Sequence, residues 1–551
     1  MTIVDLPEDV WQIVALFFPQ RELSPLISVN KALYNIVLNA KYREIHWDKV
    51  DKDLARTLVR LRTPCIAQRV RRLHVRAWFI EYLNRKEAQS RPSAMAISKR
   101  WLNRHLRLPS RLSHGAKGNT TYAEDIMEAM TEALSLMSQV TEYTFEWRDL
   151  SPNQRTLRLL STARSAFGIS LRKLTLNAQL ENFRALVSTV EFENLEDLEL
   201  YFDHDNIELD VEETLRILQN TIAPFINRFR RTISSLFIFS ASKADLSSLF
   251  PALDKFPRLY NLIFHLPWDS AHLSEPDALI GFLRRNTEML RSIELRKSYA
   301  AVSEPADAPT CIWSQFSRAL LSDPRVLTDL TILKIPAFRS FEETLACINY
   351  SAHTLTTLHL VDYFFGEDEL LAFVQLFARR NLDSGLRTLY IGLSTLTVST
   401  IDLLARRLPA LDSLGLVLAE YVASEIMIMQ HNILVLQASP FCMSLAAHSF
   451  PEWGLANIGE NLVKAVHRNT LFDPGRNSNH AAHRSLLPEH PQFQSPTSIY
   501  ICIHLSGISV TSGKIFNHLR MSSCSVFGDK WSIILLFFHS LGAYDHEFLS
   551  R

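Results

Sequence analysis

Glycine is scarce in this sequence, 15 residues in 551, where about 7% is usual. That argues against an architecture built on glycine-rich loops. The six cysteines (Cys65, Cys311, Cys347, Cys442, Cys502 and Cys524) are scattered, with no Cys-x-x-Cys pair. They read as reduced, mostly buried thiols of an intracellular protein. No apolar run approaches the ~20 residues of a membrane span, and the longest candidate is "WSIILLFF" at 531–538. The first apolar stretch follows Asp5, Glu8 and Asp9, where a secretory leader would carry Lys or Arg. The expected setting is cytoplasmic or nuclear, with no membrane contact.

Catalytic patterns are missing too. "GISVTSGK" (507–514) places five residues between its glycines, and Ile515 stands where a phosphate loop needs Ser or Thr for magnesium. His480, His483 and His490 have neither Cys partners nor an HExxH frame. There is no GxSxG elbow. The expectation is a protein that is not an enzyme, with no catalytic residue, no metal and no cofactor.

Charge is balanced overall at 58 Lys/Arg and 58 Asp/Glu, yet unevenly placed. Residues 1–120 hold 22 bases against 10 acids, and the remainder 36 against 48. The stretch "KRWLNRHLRLPSRLSHGAK" (99–117) contains no acid at all. It reads as a solvated basic insertion near 85–120; a nucleic-acid arm is the less favoured reading. "RVRRLHVR" (69–76) alternates Val70, Leu73 and Val75 with polar residues, which favours a half-buried strand.

An apolar triplet at i, i+3 and i+5 recurs: "LRKLTL" (171), "LEDLEL" (195), "ISSLFI" (233), "LYNLIF" (259), "LRSIEL" (290), "LTDLTI" (327), "LTTLHL" (355), "LRTLYI" (386) and "LDSLGL" (411). Looser copies start at 70 and 140. Steps of 24, 38, 26, 31, 37, 28, 31 and 25 residues separate the copies from 171 onward. The segments between them carry helix signals, as in "VEETLRILQN" (211–220), "FEETLACINY" (341–350), "EDELLAFVQLFARR" (367–380) and "STIDLLARRL" (399–408, with Ser399 as N-cap). The expected fold class is α/β, each unit a strand followed by a helix. This resembles an irregular leucine-rich-repeat solenoid over 51–425, whose stacked units bury what one unit cannot. Asn177 follows the first full copy, although the family's Asn or Cys is mostly missing. The resemblance implies a reading face on the polar side of the strands, with Lys173, Thr175, Asn177, Asp197, Glu199, Tyr201, His359 and Tyr390 as target-binding candidates.

"LPEDVWQIVALFF" (6–18) predicts a helix, with Asp5 as N-cap and Pro7 in the first turn. Val10, Ile13, Val14 and Phe17 line one face, a stripe too broad for a single neighbour. Leu6-Pro7-Glu8-Asp9-Val10, then Leu23, Leu26, "SVNKALYNIV" and Trp47, together resemble an F-box. Asn30 stands where that family more often has Ser. The resemblance implies a bundle of three helices over 1–50 that docks on the small adaptor subunit of an SCF-type ubiquitin ligase. Leu6, Pro7, Ile13, Leu16, Leu26 and Val29 would make the contact, while Val14, Phe17, Leu33 and Ile36 would form the bundle's own core.

Together these readings imply a substrate-recognition subunit. The alternative is a leucine-rich-repeat scaffold whose N-terminal helices merely cap the solenoid, packing Leu6 and Pro7 near Val70–Val75. Residues 426–551, with 10 of the 19 histidines and 16 serines in 431–551, fall outside the repeat. They form an unassigned tail, either a poorly ordered extension or sequence outside the original reading frame.

Overall fold

The computed structural model describes residues 7–80, 122–148, 154–188, 192–204, 210–297, 312–338, 340–378, 385–395, 397–418, 499–504, 522–528 and 531–537. The chain divides into two compact units, Met1–Asp329 and Leu330–Arg551. The basic stretch 99–117, Leu6, Asp5 and most of the tail lie outside the described residues.

In the first unit the apolar triplets become strands: β1 (Glu44–Trp47), β2 (Arg72–Arg76), β3 (Glu142–Arg148), β4 (Lys173–Gln179), β5 (Asp197–Asp203), β6 (Ser235–Ser240), β7 (Asn261–Leu266) and β8 (Ser292–Lys297). From β1 to β8 each strand pairs in parallel with the next in sequence. The fold class is therefore α/β, with a parallel sheet in chain order. The triplet side chains point to one face and are buried; Leu171, Leu174 and Leu176, for example, are all 0% exposed. Helices cover that face. Phe167, at the end of the helix Gln154–Phe167, meets Tyr143 of β3 at 5.4 Å, and Phe282 of the helix Pro276–Asn286 meets Phe264 of β7 at 6.3 Å. Period-2 alternation sends the intervening residues to the opposite, open face.

One repeat copy escaped the sequence pattern. Tyr42, Ile45 and Trp47 keep the same i, i+3, i+5 spacing and are all buried, with Ile45 and Trp47 on β1, inside the segment assigned to the helical domain. Another copy needs a shift. In "LTDLTILKI" the register that matches its neighbour is Leu330/Leu333/Ile335, not the triplet starting at 327, because Leu358 of the next strand pairs with Leu333.

The second unit repeats the plan with β9 (Ile332–Pro336), β10 (Thr357–Phe365), β11 (Thr388–Leu393) and β12 (Ser413–Leu418), parallel and in order. Within 426–551, β13 (Ile499–His504) runs antiparallel to β12, and β14 (Ser522–Gly528) with β15 (Trp531–Phe537) forms a hairpin. The β10–β11 register shifts between His359 and Phe364. Gly392 is required there, since a Cβ would collide with the Tyr363 carbonyl.

Three helical segments precede β1: α1 (Glu8–Leu16), α2 (Gln20–Leu23) running into a 3-10 turn (Ser24–Ser28), and α3 (Lys31–Tyr42). α1 starts after Pro7, which occupies the N-cap without a side-chain cap, so Pro7 precedes the helix and is not in its first turn. The later helix Val398–Arg407 is capped by Thr397, which accepts from the Thr400 N–H, and not by Ser399. Of the cysteines whose burial is described, Cys347 is buried and Cys65 exposed.

Candidate functional site

Two surfaces of the first unit stand out. The first is the apolar side of the N-terminal helices. Ala15, Leu23 and Val37 form a small core, with Leu26, Ile27 and Ile36 packed partly against it. That core is too small to take the rest of the stripe. Ile13 is 57%, Leu16 83%, Phe17 81% and Val29 59% exposed; Pro7 is exposed as well. Leu33 is buried as expected. Phe17 corrects its expected place in the core: it is the residue after the last turn of α1, where the chain turns toward Pro19 and no described element covers it. α3 is anchored at its start by Asn30, whose Oδ1 accepts from the Leu33 N–H at 2.8 Å. Asn30 thus supplies the cap that Ser would supply.

The second surface is a groove of about 470 Å³ across the open face of β1–β5. Parallel register lines up its side chains in rows. One row reads Glu44, Arg72, Glu142, Lys173, Asp197 and then Ser235. Arg72 lies 3.6 Å from Glu44 and 3.0 Å from Glu142, while Lys173 pairs with Glu199. Signs alternate until Asp197, which has no ion pair and no side-chain hydrogen bond among the described residues. Burial, then the charges of Glu196, Glu199 and Glu142, push its carboxyl above the ordinary value, against the pull of Lys173. A second row runs His46, His74, Thr144, Thr175, Glu199, Phe237. Glu199 accepts from Thr175 Oγ1 at 2.9 Å.

A third row runs Arg76, Glu146, Asn177, Tyr201, Phe239. Burial works to raise the Glu146 carboxyl, but the bond from His74 (2.6 Å) and the charge of Arg76 (3.2 Å) hold it below its usual value. Asn177 Oδ1 is shut off from solvent and has no hydrogen-bond partner among the described residues. Past this row the face turns aromatic. Tyr201 lies 4.9 Å from Phe237 and 5.7 Å from Phe239, ring centroid to centroid. Burial, then Glu199 and Glu146, push the Tyr201 hydroxyl up to about 12.

Five of the expected target-binding residues, Lys173, Thr175, Asn177, Glu199 and Tyr201, therefore line one groove, and Asp197 stands beside it on β5, in register with Lys173. His359 and Tyr390 belong to the second unit, where they pair in register on β10 and β11 with rings 5.2 Å apart. Gly415 makes room for Tyr390, since a Cβ there would strike its ring. Sequence reasoning missed Glu44, His46, Arg72, His74, Glu142, Glu146 and Phe237. The usable signal was the outward positions: i+2 and i+4 of the triplets at 42 and 70, i+2 and i+6 of the one at 140, and i+4 of the one at 233.

Among the described residues no group of His, Cys, Asp or Glu could hold a metal ion, and no helix is long and apolar enough to cross a membrane. No protein-family model matches the sequence, and no curated protein matches it.

Proposed function

We propose that the chain is a substrate-recognition subunit of an SCF-type ubiquitin ligase, acting in the cytoplasm or nucleus and performing no reaction of its own. In this reading an F-box-like bundle docks on the small adaptor subunit, and an irregular leucine-rich-repeat solenoid holds the protein to be modified. The observation that carries it is the unpaired apolar surface of the N-terminal helices. Ile13, Leu16 and Val29 are all more than half exposed, with Pro7 exposed beside the start of α1. Truncating a central anchor of such an interface costs about 2 kcal/mol or more. The capping alternative would pack Pro7 near Val70–Val75. Val70 and Val75 are buried while Pro7 is exposed, which favours docking.

The test is a pull-down of the full chain with purified adaptor, comparing wild type with Pro7→Ala and Leu16→Glu. Capture by wild type and its loss in Leu16→Glu are expected. A folded wild-type chain that the adaptor does not capture would sink the ligase reading and return the bundle to a structural role.

A further inference from the structure

Where β1–β3 begin, a second cavity of about 280 Å³ opens, lined by Arg43, Arg69, Arg71 and Arg72 around a single acid, Glu142. That acid is already engaged, since Arg72 lies 3.0 Å from it and 3.6 Å from Glu44. The other three guanidinium groups form no ion pair among the described residues. Arg69 is held by neutral acceptors alone: its Nε donates to the Cys65 carbonyl, Nη1 to Asn39 Oδ1 and the Asn35 carbonyl, and Nη2 to Asn35 Oδ1. Arg71 donates through Nη1 to the carbonyls of Gln68 and Gln139, both at 3.1 Å. Its Nε and Nη2, and the whole guanidinium of Arg43, meet no acceptor among the described residues. Three positive charges are thus gathered, two of them fixed in place by groups that carry no charge.

The same backbone position elsewhere in the fold is filled differently. The Arg43 carbonyl accepts from the Arg71 and Arg72 N–H groups at 2.8 and 2.9 Å. One finds the identical pattern at Arg172, whose carbonyl accepts from Glu196 and Asp197, and at Arg387, whose carbonyl accepts from Asp412 and Ser413. There the next rung supplies an acid: Arg172 reaches Glu196 at 3.0 Å and Arg387 reaches Asp412 at 3.7 Å. At Arg43 the next rung is another arginine, and the one after it is Thr141. Like charges on adjacent rungs repel, so the anion that balances them has to come from outside the chain.

We propose that this cavity binds a phosphate monoester, whose oxygens accept from Arg43 and Arg71 while Arg69 adds its charge beside them. A carboxylate is filled by one guanidinium fork, whereas a phosphate dianion takes donors from several at once. A phosphorylated small molecule and a phosphorylated side chain of another protein offer this same chemistry. The site stands whether or not the ligase reading holds. Because Asn35 and Asn39 lie on α3, Arg43 directly follows it and Arg71 precedes β2, the bound phosphate ties the N-terminal helices to the first strands.

The experiment is calorimetric titration of the full chain, at about pH 7.5 where a monoester is dianionic. The probes are β-glycerophosphate, the tripeptide alanyl-phosphoseryl-alanine, the same tripeptide without phosphate, and acetate at matched ionic strength. Binding of a monoester is expected, with none from acetate or the plain tripeptide. A tighter phosphotripeptide assigns the site to a protein side chain; tighter β-glycerophosphate assigns it to a small molecule. Arg43→Gln and Arg71→Gln should each weaken binding about tenfold. Arg172→Gln, which removes a rim arginine already paired with Glu196, should leave it unchanged. Without ligand, Arg43→Gln should unfold at no lower temperature than wild type, because it relieves repulsion and breaks no side-chain bond among the described residues. A chain that unfolds cooperatively yet binds neither monoester would overturn the proposal. So would equal binding of acetate, or a loss in Arg172→Gln as large as in Arg43→Gln.

Discussion

Tyr143 is fully buried, packed 5.4 Å from Phe167 and 5.9 Å from Phe145, and its hydroxyl finds no hydrogen-bond partner among the described residues. Burial drives that hydroxyl far above its ordinary value. An unpaired buried hydroxyl costs about 1–3 kcal/mol, so Tyr143→Phe, which keeps the ring, should stabilise the protein by about 1 kcal/mol. A higher urea midpoint at unchanged slope would show it; a lower midpoint would mean that the hydroxyl has a partner after all. The two shifted carboxylates of the open face, Asp197 and Glu146, should behave oppositely. Asp197 has its folded value raised, so the folded state holds the proton more tightly and stability falls as pH rises through that value. The ionised carboxylate is thus a penalty at pH 7. Asp197→Asn should be the more stable protein at pH 7, with the gain gone below pH of about 3.9. Glu146 has its folded value lowered, so its contribution is present above the unfolded value of about 4.3 and is lost as pH falls through the folded one. Glu146→Gln should therefore be less stable than wild type at pH 7 and equal to it in acid. Unfolding midpoints at pH 7 and pH 3 check both signs.

At the scale of elements, what could be read from the sequence was the buried half of each strand. Leu198/Leu200, Leu236/Ile238 and Leu262/Phe264 are apolar because helices cover them, and that pressure leaves a period anyone can count. The other half of each strand answers to its neighbours across the sheet, and neighbours are set by register. That Asp197, beside Lys173 on one side, meets Ser235 on the other follows from the pairing of β5 with β6, across a 38-residue step that gives no hint of it. The triplet Tyr42/Ile45/Trp47 was obscured for a different reason: two aromatic residues replace the aliphatic ones, and the first of them closes α3. Caps slipped by a residue or two, as at Thr397, because Thr397, Ser399 and Thr400 all carry cap-competent hydroxyls and only geometry chooses among them. α3 offers a clean test of a cap that does hold. Asn30→Ala should cost about 1 kcal/mol and Asn30→Ser almost nothing. Because the loss is local, the sensitive measurement is hydrogen exchange of the α3 amides. These should speed up in the alanine variant and not in the serine one, and equal rates in the two would remove the cap from the account.

Across the whole molecule, zero formal net charge combines bases concentrated in residues 1–120 with an excess of acids in the rest. Such a chain has little long-range repulsion to keep copies apart near its isoelectric point of about 7.3. The same N-terminal region exposes Leu16 and Phe17, at 83% and 81%. Attraction between copies is therefore expected near neutral pH, with the apolar helix face as its contact. Added salt weakens the charge contribution but leaves the apolar one. Sedimentation velocity at 10 and 300 mM salt should show concentration-dependent larger species for wild type in both. A Leu16→Glu/Phe17→Glu double variant should sediment as a monomer in both. Its thermal unfolding should match wild type, because side chains this exposed surrender almost no buried surface. A double variant that associates as strongly as wild type would place the sticky surface elsewhere, and with it would go the physical case that these helices are waiting for a partner.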